Sequence, residues 1–257
     1  IPQEILDQAP QSPWIHPPES FKPDNDLNPN TPSWIRANEA LLDAGQKPTV
    51  LDVGCGGGRA SLGLVPPAAH ITGVDHQQSM LDLFVSEAAS RSIAVSTIFG
   101  KWLDVAQQAP ICDVVVCHHV LFNVHELADF TLQLSRHARH RVVVEIPMSH
   151  PLSSLTPAWK HFWNLQRPSS PTALDAAEVI RELGIDLNVE TFTVLDHKTA
   201  VTDRDVSHAS VRLCLDKSRD AEVREFLQNR DRSPRTLVTL WWDTSSLNDR
   251  HQETFRV

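Results

Sequence analysis

The sequence lacks the features that mark a membrane-spanning or exported protein. No run of about eighteen consecutive apolar residues occurs, so we expect no transmembrane helix. The first residues, IPQEILDQAPQSPW, include neither the basic segment nor the apolar segment of an export signal. These absences predict a cytoplasmic protein with no membrane partner.

Cysteine and positive charge are also scarce. Cys55, Cys112, Cys117 and Cys214 are scattered without CxxC spacing, which predicts reduced thiols rather than disulfides. The 23 basic and 32 acidic residues leave a formal net charge of −9. Because nucleic acids are polyanions, this charge disfavours DNA or RNA as a partner and favours a small-molecule substrate.

The chain is predicted to form an N-terminal arm followed by one α/β domain. Residues 1–31 are rich in proline, which interrupts regular structure, so we assign them to an arm that wraps over the folded body. Thr31 as a cap and Pro32 at the first helical position predict a helix over 32–44. Residues 32–257 are assigned to the domain.

Short β-branched runs alternate with longer amphipathic segments along most of the domain. This alternation is typical of a parallel sheet with helices on both faces, because parallel neighbours need crossover connections. Strands are predicted over 49–53, 70–74, 94–98, 112–117, 141–146, 187–195 and 236–243. Further helices are predicted over 59–65, 77–91, 125–138, 172–183, 203–214 and 219–229.

Residues 147–171 interrupt this alternation. They combine several prolines with two tryptophans and a phenylalanine, which makes the segment too apolar for a solvated linker. We predict an inserted lid with a short helix over 157–165.

Four of the nine glycines lie within VLDVGCGGGRASL, residues 50–62, where a predicted strand ends. A turn without side chains lets a ligand approach the backbone, and the N–H groups of a following helix face anionic parts of that ligand. Dinucleotides and S-adenosylmethionine both bind in this way. The motif therefore predicts a cofactor site.

The residues around the turn favour S-adenosylmethionine. Gly54 and Gly56 fit the dinucleotide pattern GxGxxG, but Arg59 stands at its third small position. Asp52 would repel a pyrophosphate, yet it suits the ammonium group of a methionyl tail. Asp75, which ends the second strand region, can accept hydrogen bonds from ribose hydroxyls in either cofactor. A nicotinamide-dependent oxidoreductase stays open as an alternative.

Four segments resemble the successive motifs of class I S-adenosylmethionine-dependent methyltransferases: DVGCGGG at 52–58, GVD at 73–75, GKW at 100–102 and CDVVVCHHV at 112–120. The resemblance extends over roughly residues 34–195. It implies a Rossmann-like fold with a mostly parallel seven-stranded sheet, and S-adenosylhomocysteine as the product of the cofactor. Many relatives have an acidic residue where this chain has Lys101. The cofactor-binding residues that the resemblance implies are Asp52, Gly54, Cys55, Gly56, Asp75, His76, Lys101, Trp102, Leu103, Cys117 and His118.

Further segments, among them RANEALLDAG, CHHVLFNV and RPSSPT, resemble an actinobacterial branch of this superfamily. Sugar O-methyltransferases of polysaccharide biosynthesis are among the relatives that this resemblance suggests, which implies methyl transfer to a hydroxyl of a small acceptor such as a saccharide. The branch also implies that Arg36 pairs with the methionyl carboxylate, and a solvated surface charge is the alternative for this arginine. A small-molecule N-methyltransferase and a non-catalytic cofactor-binding module are the alternatives for the chain.

A methyltransferase of this kind needs a base, because the sulfonium already activates the methyl group and the acceptor still has to lose its proton. Candidate bases gather where the predicted parallel strands end, the edge at which such sheets bind ligands. We prefer His150 for its near-neutral imidazole, with Glu145 or His119 as orienting partner or alternative base. These residue types, with His118, also suit a divalent metal, but no HxxxH or HxxE spacing supports a metal site.

The acceptor is expected to contact the lid and the end of the fourth strand. Trp159 and Trp163 would stack on a sugar or ring, and Arg167 would bond hydroxyls or an acid; burial of the tryptophans in the core is the alternative. His119 and Asn123 complete the predicted acceptor site. The chain lacks the Asx-Pro-Pro-aromatic motif in which nucleic-acid amino methyltransferases resemble one another, which again disfavours a nucleic-acid acceptor. We also expect a homodimer.

Overall fold

The fold is taken from a computed structural model of the chain. It describes residues 1–13, 22–23, 30–194, 200–230 and 234–244. The strands are Thr49–Val53 (β1), His70–Asp75 (β2), Val95–Phe99 (β3), Cys112–His118 (β4), Ala138–Pro147 (β5), Asn188–Val194 (β6) and Arg235–Asp243 (β7). The α-helices are Gln3–Leu6 (α1), Pro32–Asp43 (α2), Gln78–Ser90 (α3), Trp102–Val105 (α4), Leu127–Arg136 (α5), Thr156–Trp163 (α6), Ala173–Glu182 (α7), Asp203–Arg212 (α8) and Asp220–Asn229 (α9).

The strands form a seven-stranded sheet in the order β3-β2-β1-β4-β5-β7-β6. The pairs from β3 to β5 are parallel, and β7 runs antiparallel to β5. This topology confirms the mostly parallel Rossmann-like sheet expected from the alternating pattern. Because β1 and β4 are neighbours, the chain reverses its winding direction between them, and the carboxyl ends of these two strands flank the crevice in which such sheets bind ligands.

Two hydrophobic clusters cover the two faces of the sheet. Alternate residues of β4 enter different clusters: Val114 and Val116 join one, and Val115 and Cys117 join the other. Since successive side chains of a strand point to opposite faces, the clusters lie on opposite sides of the sheet. The first is closed by α2 and α3, and the second by α5 and α7.

One predicted helix is wrong. Residues 59–65 form turns and a 3₁₀ helix, Leu62–Leu64, instead of an α-helix. Glycines precede this segment and Pro66 and Pro67 follow it, so there is too little uninterrupted chain for stable α-helical turns. The other predicted strands and helices are confirmed within a few residues. The end of the predicted strand 187–195 lies outside the described residues.

The chain divides into two compact units. We call Ile1–His16, Ser149–Ser170 and Thr193–Arg235 the accessory unit, and Pro17–Met148, Pro171–Phe192 and Thr236–Val257 the sheet unit. The accessory unit has its own hydrophobic cluster, in which α6 packs with α8 and α9. Most of the predicted lid segment therefore belongs to one unit with the N-terminal residues and with Thr193–Arg235. The predicted boundaries of the arm and of the domain stay predictions.

No helix within the described ranges is long and apolar enough to cross a membrane. All four cysteines are free and buried, which confirms the predicted thiols. Burial raises the pKa of Cys55 and Cys117, so these thiols stay protonated near neutral pH and are unreactive.

Candidate active site

The glycine turn follows β1 and is held against β2. The backbone N–H groups of Gly54 and Cys55 both donate to the carbonyl oxygen of Val74, at 2.8 and 3.0 Å. Gly54, Gly56 and Gly58 all have positive φ, at 75°, 50° and 88°. These values lie in the left-handed region that glycine occupies without steric cost, which explains why the turn needs this residue type.

Asp75 links the glycine turn to the end of β2. Its Oδ2 accepts a hydrogen bond from the Gly56 N–H at 3.0 Å, and its Oδ1 accepts one from the Gln77 N–H at 2.9 Å. The side chain is 8% exposed. Each carboxylate oxygen keeps a further lone pair for a ligand donor. His76 is the next residue; its largely exposed ring places Nδ1 3.6 Å from Asp75 Oδ1.

Asp52, on β1, is fully buried at 0% exposure. Its Oδ2 accepts a 2.5 Å hydrogen bond from the hydroxyl of Ser61, whereas its Oδ1 is buried without a hydrogen-bond partner among the described residues. Burial raises the pKa of Asp52 to about 7, an effect that the Ser61 bond opposes and the nearby Asp75 reinforces. An unpaired buried carboxylate oxygen is costly, and a ligand cation that donates to it would offset that cost.

The residues after β3 take different positions. Lys101 is exposed at the N-cap of α4, and Leu103 is partly exposed. Trp102 is buried in the core, where its ring meets that of His137 edge-on with centroids 4.9 Å apart. The indole Nε1 has no hydrogen-bond partner among the described residues. The Trp102 ring thus packs inside the sheet unit, and a role at the adenine stays a prediction.

Two adjacent histidines stand at the end of β4, where His118 is the last strand residue and His119 follows it. Cys117, the residue before them, is buried. Burial also lowers the pKa of His118 to about 4, so the His118 ring is neutral at pH 7. His119 has a left-handed backbone, with φ of 62°, and its side chain is 42% exposed. This backbone reversal turns the His119 ring out of the strand direction. Asn123, at the end of the following 3₁₀ turn, is exposed.

His119 faces Glu145 across the parallel pair β4 and β5. The His119 Nε2 lies 3.5 Å from Glu145 Oε1, and the His119 backbone N–H donates to the Glu145 carbonyl at 2.7 Å. The hydroxyl of Ser33 donates to Glu145 Oε2 at 2.5 Å. Burial acts to raise the pKa of Glu145, but the two histidines and the Ser33 hydroxyl outweigh it and hold the pKa below its usual value. Glu145 is therefore a buried carboxylate anion.

The residue that follows His119 lies against the glycine turn. A Cβ built at Gly54 would come within 2.3 Å of Val120 Cγ2, and Val120 directly follows His119. Sequence reasoning did not single out Ser33, Ser61 or Val120. Only the folded chain brings them to the motif residues, and no local pattern marks them.

Arg36 pairs with two carboxylates of the protein itself. Its Nε donates to Glu190 Oε1 at 2.6 Å, and its Nη1 donates to Glu39 at 3.0 Å. The hydrogen bonds to these carboxylates raise the pKa of Arg36 above its already high value. The guanidinium also lies 5.4 Å from the ring centroid of Trp241. Arg36 is thus engaged by protein carboxylates, and its predicted contact with the methionyl carboxylate stays a prediction.

The remaining predicted site residues belong to the accessory unit. His150 caps the turn that leads into α6, since its Nδ1 accepts a hydrogen bond from the Leu152 N–H at 3.1 Å. Burial, and then the charge of Arg167, lowers the pKa of His150. Trp159 is 0% exposed and belongs to the core of the unit. The Trp163 indole donates to the Leu213 carbonyl at 2.7 Å.

Arg167 lies over Trp159, with its Cζ 5.7 Å from the ring centroid. Its Nη1 is buried without a hydrogen-bond partner among the described residues. The packing of Trp159 favours the core alternative over the stacking wall, and the acceptor roles of these accessory-unit residues stay predictions. In the described parts of the chain, no group of three or more His, Cys, Asp or Glu side chains is arranged to hold a metal ion.

Comparison with known families decides between the cofactors. Residues 50–141, which contain the glycine turn, Asp75 and both histidines, match the family described as "Methyltransferase domain". This part of the chain is similar to methyltransferase domains, which favours S-adenosylmethionine over a dinucleotide as the cofactor. The nicotinamide alternative is not supported, because the matched region is the one in which its fingerprint fails at Arg59.

Curated relatives and solved structures agree with this domain. The chain is 33% identical over 117 residues to the ubiquinone biosynthesis O-methyltransferase of Paraburkholderia xenovorans (strain LB400), covering 45% of this chain and 48% of that protein. The chain therefore spans about half the length of the curated relatives that it matches.

Two solved structures are similar in fold. Magnesium protoporphyrin IX methyltransferase from Synechocystis PCC 6803, solved with bound S-adenosylhomocysteine, has a TM-score of 0.51 and 16% identity, covering 82% of this chain and 81% of its own. Precorrin 8W decarboxylase from Methanobacterium thermoautotrophicum has a TM-score of 0.51 and 15% identity, and the match covers 89% of this chain and 99% of the decarboxylase chain. At these identities the likeness concerns the fold alone.

The methyltransferase domain has groups that fit S-adenosylmethionine. The unpaired, buried Asp52 Oδ1 suits an ammonium donor, and the remaining lone pairs of Asp75 suit ribose hydroxyls. The glycines of the turn leave the backbone bare beside both carboxylates. These are the groups through which the domain would hold the cofactor.

Proposed function

We propose that this chain transfers a methyl group from S-adenosylmethionine to a hydroxyl of a small acceptor, with His119 as the base and Glu145 as its orienting partner. The observation that carries the proposal is the buried Glu145 facing the half-exposed His119, beside the glycine turn of the methyltransferase domain. Val120, the residue after this base, lies against the turn that would hold the methyl donor. The O-methyltransferase name of the curated relatives supports a hydroxyl acceptor.

The geometry assigns a role to each nitrogen of His119. Its Nε2 faces the Glu145 anion, which favours the tautomer that carries the proton on Nε2. The lone pair of Nδ1 then remains to take the proton of the acceptor hydroxyl. The bound sulfonium supplies an electrophilic methyl group, and Glu145 stabilises the imidazolium that forms on His119 when the acceptor loses its proton.

His150 is less suited to this role. Its Nδ1 accepts a hydrogen bond from the Leu152 N–H, so the proton of the neutral ring lies on Nε2. In that tautomer neither nitrogen has an unused lone pair for an acceptor proton. The assignment of His150 as base nevertheless stays a prediction, and we rank it after His119.

The class of hydroxyl follows from the strength of the base. An imidazole assisted by a carboxylate more readily deprotonates a phenol, whose pKa is about 10, than the much less acidic hydroxyl of a sugar. We therefore place phenolic acceptors ahead of saccharides. The saccharide acceptor and the actinobacterial branch rest on the sequence resemblance alone. A cytoplasmic location, a homodimer and the absence of nucleic-acid partners likewise stay predictions.

The test is a transfer assay with methyl-labelled S-adenosylmethionine and three acceptor panels: catechols, monosaccharides and primary amines. We expect label on hydroxyl oxygen, most of it on the catechols. His119→Ala should lower kcat at least a hundredfold, the usual contribution of a general base, and Glu145→Gln should lower it by a similar factor. His125→Ala is the matched control, because His125 is an exposed histidine of the same loop, and it should keep kcat within twofold.

Two results would overturn the proposal. Label that appears only on amines refutes the hydroxyl acceptor. A wild-type kcat in His119→Ala refutes the base.

A further inference from the structure

Glu145 accepts a hydrogen bond from Ser33, a residue that lies before the region matched to the family. Ser33 is the second residue of α2, whereas the family match covers residues 50–141. Ser33 is 1% exposed, and its hydroxyl donates to Glu145 Oε2 at 2.5 Å although 112 positions separate the two residues. The contact thus joins the segment before the domain motifs to the end of β5.

The two carboxylate oxygens of Glu145 have different partners. Oε2 accepts from Ser33, while Oε1 faces His119 Nε2 at 3.5 Å. Because the bond from Ser33 fixes one oxygen, the carboxylate plane is fixed, and the other oxygen is held toward the imidazole. The Ser33 hydroxyl itself lies 3.0 Å from Thr31 Oγ1, which caps the same helix.

The position of Ser33 also supports the charge on Glu145. A carboxylate that is 6% exposed would ordinarily be driven toward its neutral form. The first turn of a helix carries partial positive charge, and α2 presents its first turn, through Ser33, to this carboxylate. The groups that lower the pKa of Glu145 are His118, His119 and Ser33, and His118 itself is neutral near pH 7.

We propose that Ser33 is a positioning residue, whose hydroxyl bonds one oxygen of Glu145 and so keeps the other oxygen aimed at His119. The expected effect of Ser33 on kcat rests on the proposed function. The effect of Ser33 on the Glu145 carboxylate does not depend on any acceptor. Ser33 does not touch the reacting atoms. It acts through Glu145, and Glu145 acts on the imidazole.

The experiment compares Ser33→Ala, Ser33→Thr and Ser135→Ala with the wild type. Ser135 is a matched control, since it is a buried serine of the same unit that accepts a hydrogen bond from Trp242 Nε1 at 2.9 Å, away from Glu145. The side-chain ¹³C signal of Glu145 is followed by NMR across pH 2–8. kcat and KM for both substrates are measured on whichever acceptor the wild type methylates.

We expect Ser33→Ala to raise the pKa of Glu145 by about one unit, because a hydrogen bond to a charged group contributes about 1.5–3 kcal/mol, and one pKa unit corresponds to about 1.4 kcal/mol. kcat should fall at least tenfold with KM for the cofactor unchanged. Ser33→Thr keeps the hydroxyl and should restore both values. Ser135→Ala should lower the melting temperature but leave the pKa of Glu145 and kcat unchanged.

The inference is overturned if the Glu145 pKa in Ser33→Ala equals that of the wild type, or if Ser135→Ala moves it equally. If the wild type methylates hydroxyls, the inference is also overturned when Ser33→Ala keeps the wild-type kcat. A wild type that methylates no hydroxyl refutes the proposed function instead, and in that case the NMR titration alone decides whether Ser33 bonds the Glu145 carboxylate.

Discussion

Gly54 lies directly against Val120, so closely that a Cβ at position 54 would come within 2.3 Å of Val120 Cγ2. The contact joins the turn after β1 to the loop after β4. It links the proposed cofactor turn to the segment that carries His119, and it gives the first prediction.

Gly54→Ala should destabilise the sheet unit by more than a left-handed backbone alone requires. The strain of a side chain at φ of 75° costs about 1–2 kcal/mol, and the clash with a stiff β-branched valine adds to it. Gly45→Ala is the control, because Gly45 has φ of 90° but no atom within 4 Å of its built Cβ.

Urea unfolding measures the difference between the two variants. Val120→Ala in the Gly54→Ala background should recover part of the loss, since it removes the clashing methyl group. Equal free energies of unfolding for Gly54→Ala and Gly45→Ala would show that the contact is absent.

Asp52 predicts a pH dependence of cofactor binding. Its pKa is raised to about 7, so the ionised form that attracts an ammonium group becomes dominant only above that pH. The affinity for S-adenosylhomocysteine should therefore rise about tenfold between pH 6 and pH 8, over which the ligand ammonium stays charged. Calorimetry at several pH values tests this, and Asp52→Asn should bind more weakly with no such dependence. A flat profile in the wild type refutes the role of Asp52.

His118 predicts a pH dependence of stability. Burial lowers its folded-state pKa from 6.5 to about 4, whereas the unfolded chain has the ordinary value. The unfolded state therefore binds more protons between these values, and stability that is present above pH 6.5 is lost as the pH falls toward 4. The loss is on the order of 1–3 kcal/mol.

Denaturant titrations at pH 7 and pH 4.5 measure this loss, with Glu145 and His119 as the neighbouring ionisable groups. His118→Gln should reduce the difference in unfolding free energy between the two pH values. An unchanged difference in that variant would assign the pH dependence to other groups.

The ion pairs of Arg36 predict that replacing this residue changes the stability of the fold but not the affinity for the cofactor. Its guanidinium is engaged by Glu190 and Glu39 and lies near the Trp241 ring. Arg36→Gln should lower the free energy of unfolding by less than about 1 kcal/mol, as for exposed ion pairs, and leave the Kd for S-adenosylhomocysteine within twofold. A loss of affinity of tenfold or more would instead restore the predicted contact with the methionyl carboxylate.

Periodicity in the sequence was enough to predict the sheet. β1 and β4 are short runs rich in β-branched residues, and such runs have few alternatives to a buried parallel strand. The helix predicted over 59–65 failed because the pattern of apolar residues there resembles a helix, while Pro66 and Pro67 end the segment before α-helical turns can form.

Side-chain partners were harder to predict. Helical spacing placed Trp159 and Trp163 on one helix, but spacing does not say which face is buried, and Trp159 is in the core. The bond between Ser33 and Glu145 spans 112 positions, so no local window of sequence contains both residues. Arg36 similarly meets Glu190 at a separation of 154 positions.

The central claim is that the glycine turn and Asp75 hold S-adenosylmethionine. The most direct measurement is calorimetric titration of S-adenosylhomocysteine and NADH, in parallel, into the wild type, Asp75→Asn and Asp82→Asn. Asp82 is the control, because it is a carboxylate of α3 that bonds only the exposed Gln78 side chain among the contacts of the described residues. We predict saturable binding of S-adenosylhomocysteine but not of NADH, a loss of at least tenfold in Asp75→Asn, and none in Asp82→Asn. Binding of NADH without S-adenosylhomocysteine, or wild-type affinity in Asp75→Asn, would contradict the claim.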